Sequence, residues 1–216
     1  ACRTGGKCPL SAVKKAAKDL EGDVSPEEAA GELGKYYAYY YEAYSAALGG
    51  LVGSYAIFKD GQWIPQYGLK AFSPIAKGFD YSDYDDFGSS RSYGYKRPHL
   101  GHDMMGQVGT PITAIESGYV EALGWNQYGG WRIGIRSFDK KRYYYYAHLS
   151  GYEKEFVPGE TLRAGDILGY MGNTGYGKEG TTGKFPVHLH LGIYIRTKHT
   201  EELSVNPYWV LRFLGQ

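Results

Sequence analysis

Cysteine and methionine are scarce in this chain of 216 residues, with two and three copies, and neither sign of charge dominates: 24 Lys and Arg face 23 Asp and Glu, for a net +1. Cys2 and Cys8 can close one small disulfide loop in an oxidising compartment. The charge balance leaves no electrostatic footprint for nucleic acid or an anionic membrane surface. No long apolar run is present either. Residues 36–58 carry a single charge, Glu42, yet their first half is mostly tyrosine and Gly49, Gly50 and Gly53 break the second. They read as a soluble helix and a turn rather than a span of about 20 apolar residues. The chain opens on Ala1 without a charged leader and apolar run, and so reads as a mature or truncated product.

What is abundant is glycine, with 32 copies, and tyrosine, with 23, a pairing that suits tight turns, strands and a groove lined with rings. The length allows one medium domain with an accessory segment, or two small domains. Ser25, Pro26 and Glu28 spell a helix start with a capping box. Leu33, Tyr37, Tyr40, Tyr44 and Ala47 then recur at helical spacing, which predicts one packed face, and a shorter helix over residues 11–20 precedes it. Residues 1–53 are thus expected to form a helical extension that offers a surface to a protein partner. A connecting segment over 54–95 follows, with a hairpin turn at Asp60 and Gly61 and an acidic, aromatic stretch, FDYSDYDDFG, that reads as a solvated loop. From residue 96 onward short strands alternate with glycine or charged turns, so the core is expected to be mainly β, an antiparallel sheet or sandwich.

Histidine is where this core carries chemistry. In FPVHLHLGIYI, His188 and His190 stand two apart, and positions two apart in a strand share a face. Val187, Leu189, Leu191, Ile193 and Ile195 then pack the other face. Two imidazoles on one face need several partners, and a metal ion satisfies both. In RPHLGHDMMG, His99 and Asp103 are four apart and point one way in an extended segment, with Gly101 between them leaving room for an ion, while His102 points the other way as a packing residue. Two imidazoles and a carboxylate give zinc three protein ligands and an open position, the pattern of a catalytic site. The same set also fits the facial triad of a non-haem iron oxygenase. His148, at the end of YYYYAHLS, is expected to share a strand face with Tyr144 and Tyr146. His199 reads as exposed, and Asp166 as a turn residue. The glycine-rich stretch 172–184 either walls a groove or is an extended turn.

HLGHD, GTPITAIESGYV, YAHLS, PGETLRAGDILGYMGNTG and HLHLGIY, in this order over about half of the chain, resemble the LytM/lysostaphin-type zinc endopeptidases that cut peptidoglycan peptides. The resemblance implies a LytM-type core over 96–216. It implies His99, Asp103 and His190 as ligands of Zn2+, with His148 and His188 acting on the water and the scissile carbonyl. It also implies peptidoglycan peptides as substrate and an extracellular or cell-wall location in a bacterium. The chain has no HExxH, so proton transfer falls to imidazole rather than glutamate. Some relatives are non-enzymatic scaffolds or activators that often lack one of the five residues. Others are latent, with an upstream segment filling the open metal position, a part that Asp83, Asp85 or Asp86 could play here.

Overall fold

A computed structural model describes residues 10–92 and 95–214, so Cys2 and Cys8 lie outside the described residues. The chain divides after Ser45 into two compact units. In the first, α1 (Leu10–Leu20) is followed by α2 (Pro26–Ala29), a 3-10 turn (Gly31–Tyr36) and the start of α3 (Tyr37–Leu48). The capping box forms as expected, with the Glu28 backbone N–H donating to Ser25 Oγ and the Glu28 carboxylate accepting from the Ser25 N–H. The single long helix does not. Gly31 takes a φ of +58°, and a side chain at Gly34 would sit 2.8 Å from the Glu27 carbonyl, so the path breaks where both residues are glycine. Tyr40 and Tyr44, expected to be packed, are exposed and lie ring to ring 6.5 Å apart.

The second unit is built on strands. β1 (Val52–Lys59) and β2 (Gln62–Leu69) form a hairpin closed at Asp60 and Gly61, both at positive φ. β3 (Ser90–Arg91) pairs β4 (Arg97–Pro98). A nine-stranded antiparallel sheet then joins β5 (His102–Met105), β6 (Pro111–Thr113), β7 (Gly118–Asn126), β8 (Gly130–Ser137), β9 (Arg142–Tyr152), β10 (Thr161–Leu162), β11 (Ile167–Met171), β12 (His188–Ile195) and β13 (Leu203–Val205). A short helix, α4 (Tyr208–Leu214), closes the described chain. The fold is therefore mainly β with helices near the N-terminus, as the sequence predicts.

β9 holds the sheet together. It pairs β8 along one edge, and along the other it pairs β12 with its first half and β11 with its second. One face packs the core, where Leu189, Leu191 and Ile193 of β12 meet Tyr144, Tyr146 and Ile133. Arg142, fully buried, is held by Glu116, Asp139 and the Ala46 carbonyl at 2.7–3.0 Å. Among the described residues no helix is long and apolar enough to cross a membrane.

Candidate metal centre

The alternation of β12 delivers its histidines as the sequence predicts: Leu189, Leu191, Ile193 and Ile195 are buried in the core, while His188 and His190 line a groove of about 230 Å³ on the other face. β5 pairs β12 in a register that sets Asp103 opposite His190. Their Oδ1 and Nδ1 atoms are 2.9 Å apart. His99 Nε2 lies 2.9 Å from His190 Nδ1 and 3.1 Å from Asp103 Oδ1. Three ligand-type atoms from two separate stretches thus form a triangle. These three residues would hold a metal ion, and their atoms are close enough together for one cation to meet them all. The donor set fits zinc: two imidazole nitrogens and a carboxylate oxygen meet.

Gly101 has a different task from the one expected of it. A Cβ there would lie 2.5–2.6 Å from the His190 ring and 2.8 Å from the Leu191 carbonyl. The room it leaves is taken by His190 rather than by an ion.

The acidic stretch is an exposed loop over most of its length, as expected, with Asp86 as its one buried residue. Asp86 is buried and accepts from His99 Nδ1 at 3.0 Å and from Arg91 Nη2 at 2.5 Å, and its other oxygen is 3.6 Å from His102 Nδ1. Arg91 also donates to Asp103 Oδ2 at 3.0 Å. Asp83 accepts from His102 Nε2 at 2.8 Å, and Asp85 from Asn206 at 2.9 Å. Asp86 thus braces His99 from behind while Asp83 and Asp85 hold His102 and Asn206, and none of the three fills an open metal position. His102 is fully buried, facing away as expected, with its ring 5.5 Å from that of Tyr208.

Electrostatics follow from this bracing. Burial works against a charge on Asp103, but hydrogen bonds from His190 and His99 outweigh it and hold the carboxyl well below the usual range. Burial likewise opposes the imidazolium of His99, yet Asp103 and Asp86 raise it to about 9.

His148 arrives by a route that strand alternation does not give. Tyr144 and Tyr146 are buried on the core side, where the Ile115 N–H donates to Tyr146 Oη, so Tyr146 packs and does not reach the site. The register against β8 gains an extra β9 residue between the Ile133–Tyr146 and Trp131–Leu149 pairs, and His148 takes a φ of +65°. This bulge carries the imidazole over to the groove face beside Tyr145 and Ala147. His148 then sits with its ring 4.7 Å from that of His188. Its Nδ1 donates to the Thr174 carbonyl at 2.8 Å, and His188 Nδ1 donates to the Pro186 carbonyl at 2.8 Å. Both hydrogen bonds fix the tautomer and leave Nε2 as the basic nitrogen; that of His188 is 3.6 Å from Asp103 Oδ1. Burial lowers both pKa values, that of His148 to about 3, helped by the neighbouring His188 and His190. Residues 172–184 wall the groove through Tyr176 and supply Thr174. His199 is exposed, and Asp166 accepts from the Arg163 N–H in a turn, both as expected.

Arg91 and Tyr145 carry no sequence pattern that marks them, and Asp86, expected at most to fill an open metal position, instead holds His99 from behind.

Comparison with known proteins agrees with this geometry. The sequence profile of peptidase family M23 matches residues 97–207. The L-Ala–D-Glu endopeptidase of Bacillus subtilis is 42% identical over 139 residues, which are 64% of this chain and 42% of the relative. Lysostaphin of Staphylococcus staphylolyticus is 34% identical over 116 residues, 53% of this chain and 21% of that protein. The chain thus spans less than half the length of these curated relatives. A solved structure from Ruminococcus gnavus, assigned as a glycyl-glycine endopeptidase LytM, aligns with a TM-score of 0.61 at 34% identity, covering 94% of this chain and 80% of that one. The matched profile takes in half of the sequence, with His99, Asp103, His148, His188 and His190 all inside it, and on that match the chain belongs to peptidase family M23.

Proposed function

We propose that this chain is a zinc-dependent endopeptidase that hydrolyses peptide bonds in bacterial peptidoglycan, acting outside the cell or at the wall. His99, Asp103 and His190 would hold the ion. When bound, zinc supplies Lewis acidity that polarises a peptide carbonyl and brings the pKa of a coordinated water to about 7. The remaining work falls to the chain. Asp86 fixes His99 through Nδ1 and Arg91 holds the outer oxygen of Asp103, so two ligands are oriented before any ion arrives. His148 and His188 each present an unprotonated Nε2, suited to take a proton from the attacking water and return it to the leaving amine. The tyrosines of the groove, Tyr128, Tyr145 and Tyr176, offer flat walls to a narrow peptide.

The observation that carries this reading is the pairing of a ligand triangle with two tautomer-fixed histidines in one groove. A facial-triad oxygenase needs the triangle alone, so the pair of further histidines favours hydrolysis. None of the five residues is missing, which favours activity over a scaffold role. The relatives' names specify different bonds, one beside an acidic residue and one between glycines.

The test is a digest of purified peptidoglycan by the zinc-loaded chain, analysed by mass spectrometry with and without chelator. New amine termini at one type of peptide bond, abolished by chelator and restored by zinc, are expected. An unchanged digest, or metal analysis that returns iron, would overturn the reading.

A further inference from the structure

One buried hydroxyl spans the bulge that turns His148 toward the groove. Thr174 Oγ1 accepts from the Trp131 backbone N–H at 3.1 Å and donates to the Leu149 carbonyl at 2.7 Å. Trp131 and Leu149 are register partners of β8 and β9 at one end of the bulge, and Leu149 directly follows His148. The Thr174 carbonyl in turn accepts from His148 Nδ1 at 2.8 Å. A single residue thus holds the ring through its main chain and the backbone beside that ring through its side chain.

Two glycines let Thr174 come this close. A Cβ at Gly130, itself at a φ of +63°, would lie 2.3–2.4 Å from the carbonyl carbon, carbonyl oxygen and Oγ1 of Thr174, and one at Gly175 would lie 2.5 Å from the Tyr128 carbonyl oxygen. Residues 174 and 175 are therefore seated on the turn between β7 and β8, whose Gly129 carbonyl accepts from the His148 N–H at 2.7 Å.

His148 needs such support. Its φ of +65° lies in the left-handed region, where a residue with a Cβ persists only when its surroundings impose it. A bulge that reverts to regular pairing sends its side chain to the opposite face of the sheet. Thr174 is buried, does not line the groove and has already given its hydroxyl proton to Leu149, so it reaches the reaction only through His148.

Resting on the proposed hydrolysis, we propose that Thr174 is a positioning residue for it: the hydroxyl latches the β9 bulge in the form that presents His148 Nε2 to the groove. The latch requires the hydroxyl and not the methyl group. Without the hydroxyl, the Trp131 N–H and the Leu149 carbonyl lose their shared partner and the imidazole loses its fixed orientation.

The experiment compares Thr174→Val, which keeps the shape and removes the hydroxyl, with Thr174→Ser, which keeps the hydroxyl and removes the methyl. On the zinc-loaded full chain, kcat and KM are measured with peptidoglycan fragments, and zinc by atomic absorption. Long-range proton–nitrogen correlation NMR at fixed pH reports which nitrogen of His148 bears the proton. Thr174→Val is expected to lower kcat about 10- to 100-fold with KM and zinc content retained, and to lose the single Nδ1–H form of His148. Thr174→Ser is expected to recover most of both. Undiminished cleavage or an unaltered His148 spectrum in Thr174→Val, or a Thr174→Ser variant as impaired as Thr174→Val, would each overturn the proposal. Should Thr174→Val fail to fold, Thr174→Ser still decides, together with amide exchange in the wild type, where an unprotected Trp131 N–H would also overturn it. Loss of the Nδ1–H form in Thr174→Val, in a chain that cleaves nothing, would sink the endopeptidase reading and support the latch, so the two failures are distinct.

Discussion

Asp103 and His190 face each other across the β5–β12 pair, with Oδ1 and Nδ1 2.9 Å apart, so two of the three ligand-type atoms are brought together by backbone register. Their geometry is therefore as firm as the sheet, and it depends on the neighbours that let the strands approach.

Gly101→Ala tests that dependence. A methyl group there would press on the His190 ring and on the Leu191 backbone. Overpacking of this kind costs about 1–3 kcal/mol. A lowered urea midpoint and weakened zinc binding in competition with a chromophoric chelator are expected; a variant with unchanged zinc affinity would show that the His190 ring shifts freely.

His148→Ala and His188→Ala separate proton handling from metal holding. Each is expected to lose about 10²–10⁴-fold in kcat while one zinc per chain remains by atomic absorption. Loss of the metal along with activity would move the residue into the ligand set, and full activity would remove it from the chemistry.

Asp86→Asn keeps the shape behind His99 and removes the charge. Outer partners of this kind are worth about 10–100-fold in metal affinity. The variant is expected to bind zinc that much more weakly and to regain turnover when zinc is raised. An affinity equal to wild type would reduce Asp86 to packing.

Arg142→Met addresses the fold rather than the site. The guanidinium is buried against Glu116, Asp139 and the Ala46 carbonyl, and its removal leaves Glu116, itself mostly buried, without its cation. Breaking a buried pair in this way costs about 3–5 kcal/mol. Equilibrium unfolding in urea is expected to register a loss of that order, with zinc affinity little changed in the folded fraction.

Much of this was legible in the sequence because it is local. The alternation of HLHLGIYI sends His188 and His190 to one face by strand geometry alone, whereas His99 and Asp103 meet through a bend at Gly101 and not through the extended segment their spacing suggested. His148 was identified through its resemblance to the family, but the face assigned to it by alternation was wrong: the bulge that turns it depends on how β9 registers against β8, and no local pattern within YYYYAHLS specifies that. Within the acidic stretch, exposed over most of its length as its composition implies, Asp86 is the exception for a related reason. Asp86 is charged and lies in a loop, and only the tertiary approach of Arg91 and His99 makes its burial affordable. The broken N-terminal helix shows the reverse case, in which an apolar period suggested a face but Gly31 and Gly34 governed the backbone.

The hydrogen bond from His148 to the Thr174 carbonyl ties the choice of ring nitrogen to the same segment that places Tyr176 in the groove. Under the proposed function, selectivity and acid–base behaviour would then not be separately adjustable: anyone transplanting residues 172–184 from a relative to change the groove wall would also be resetting which end of that imidazole can accept a proton.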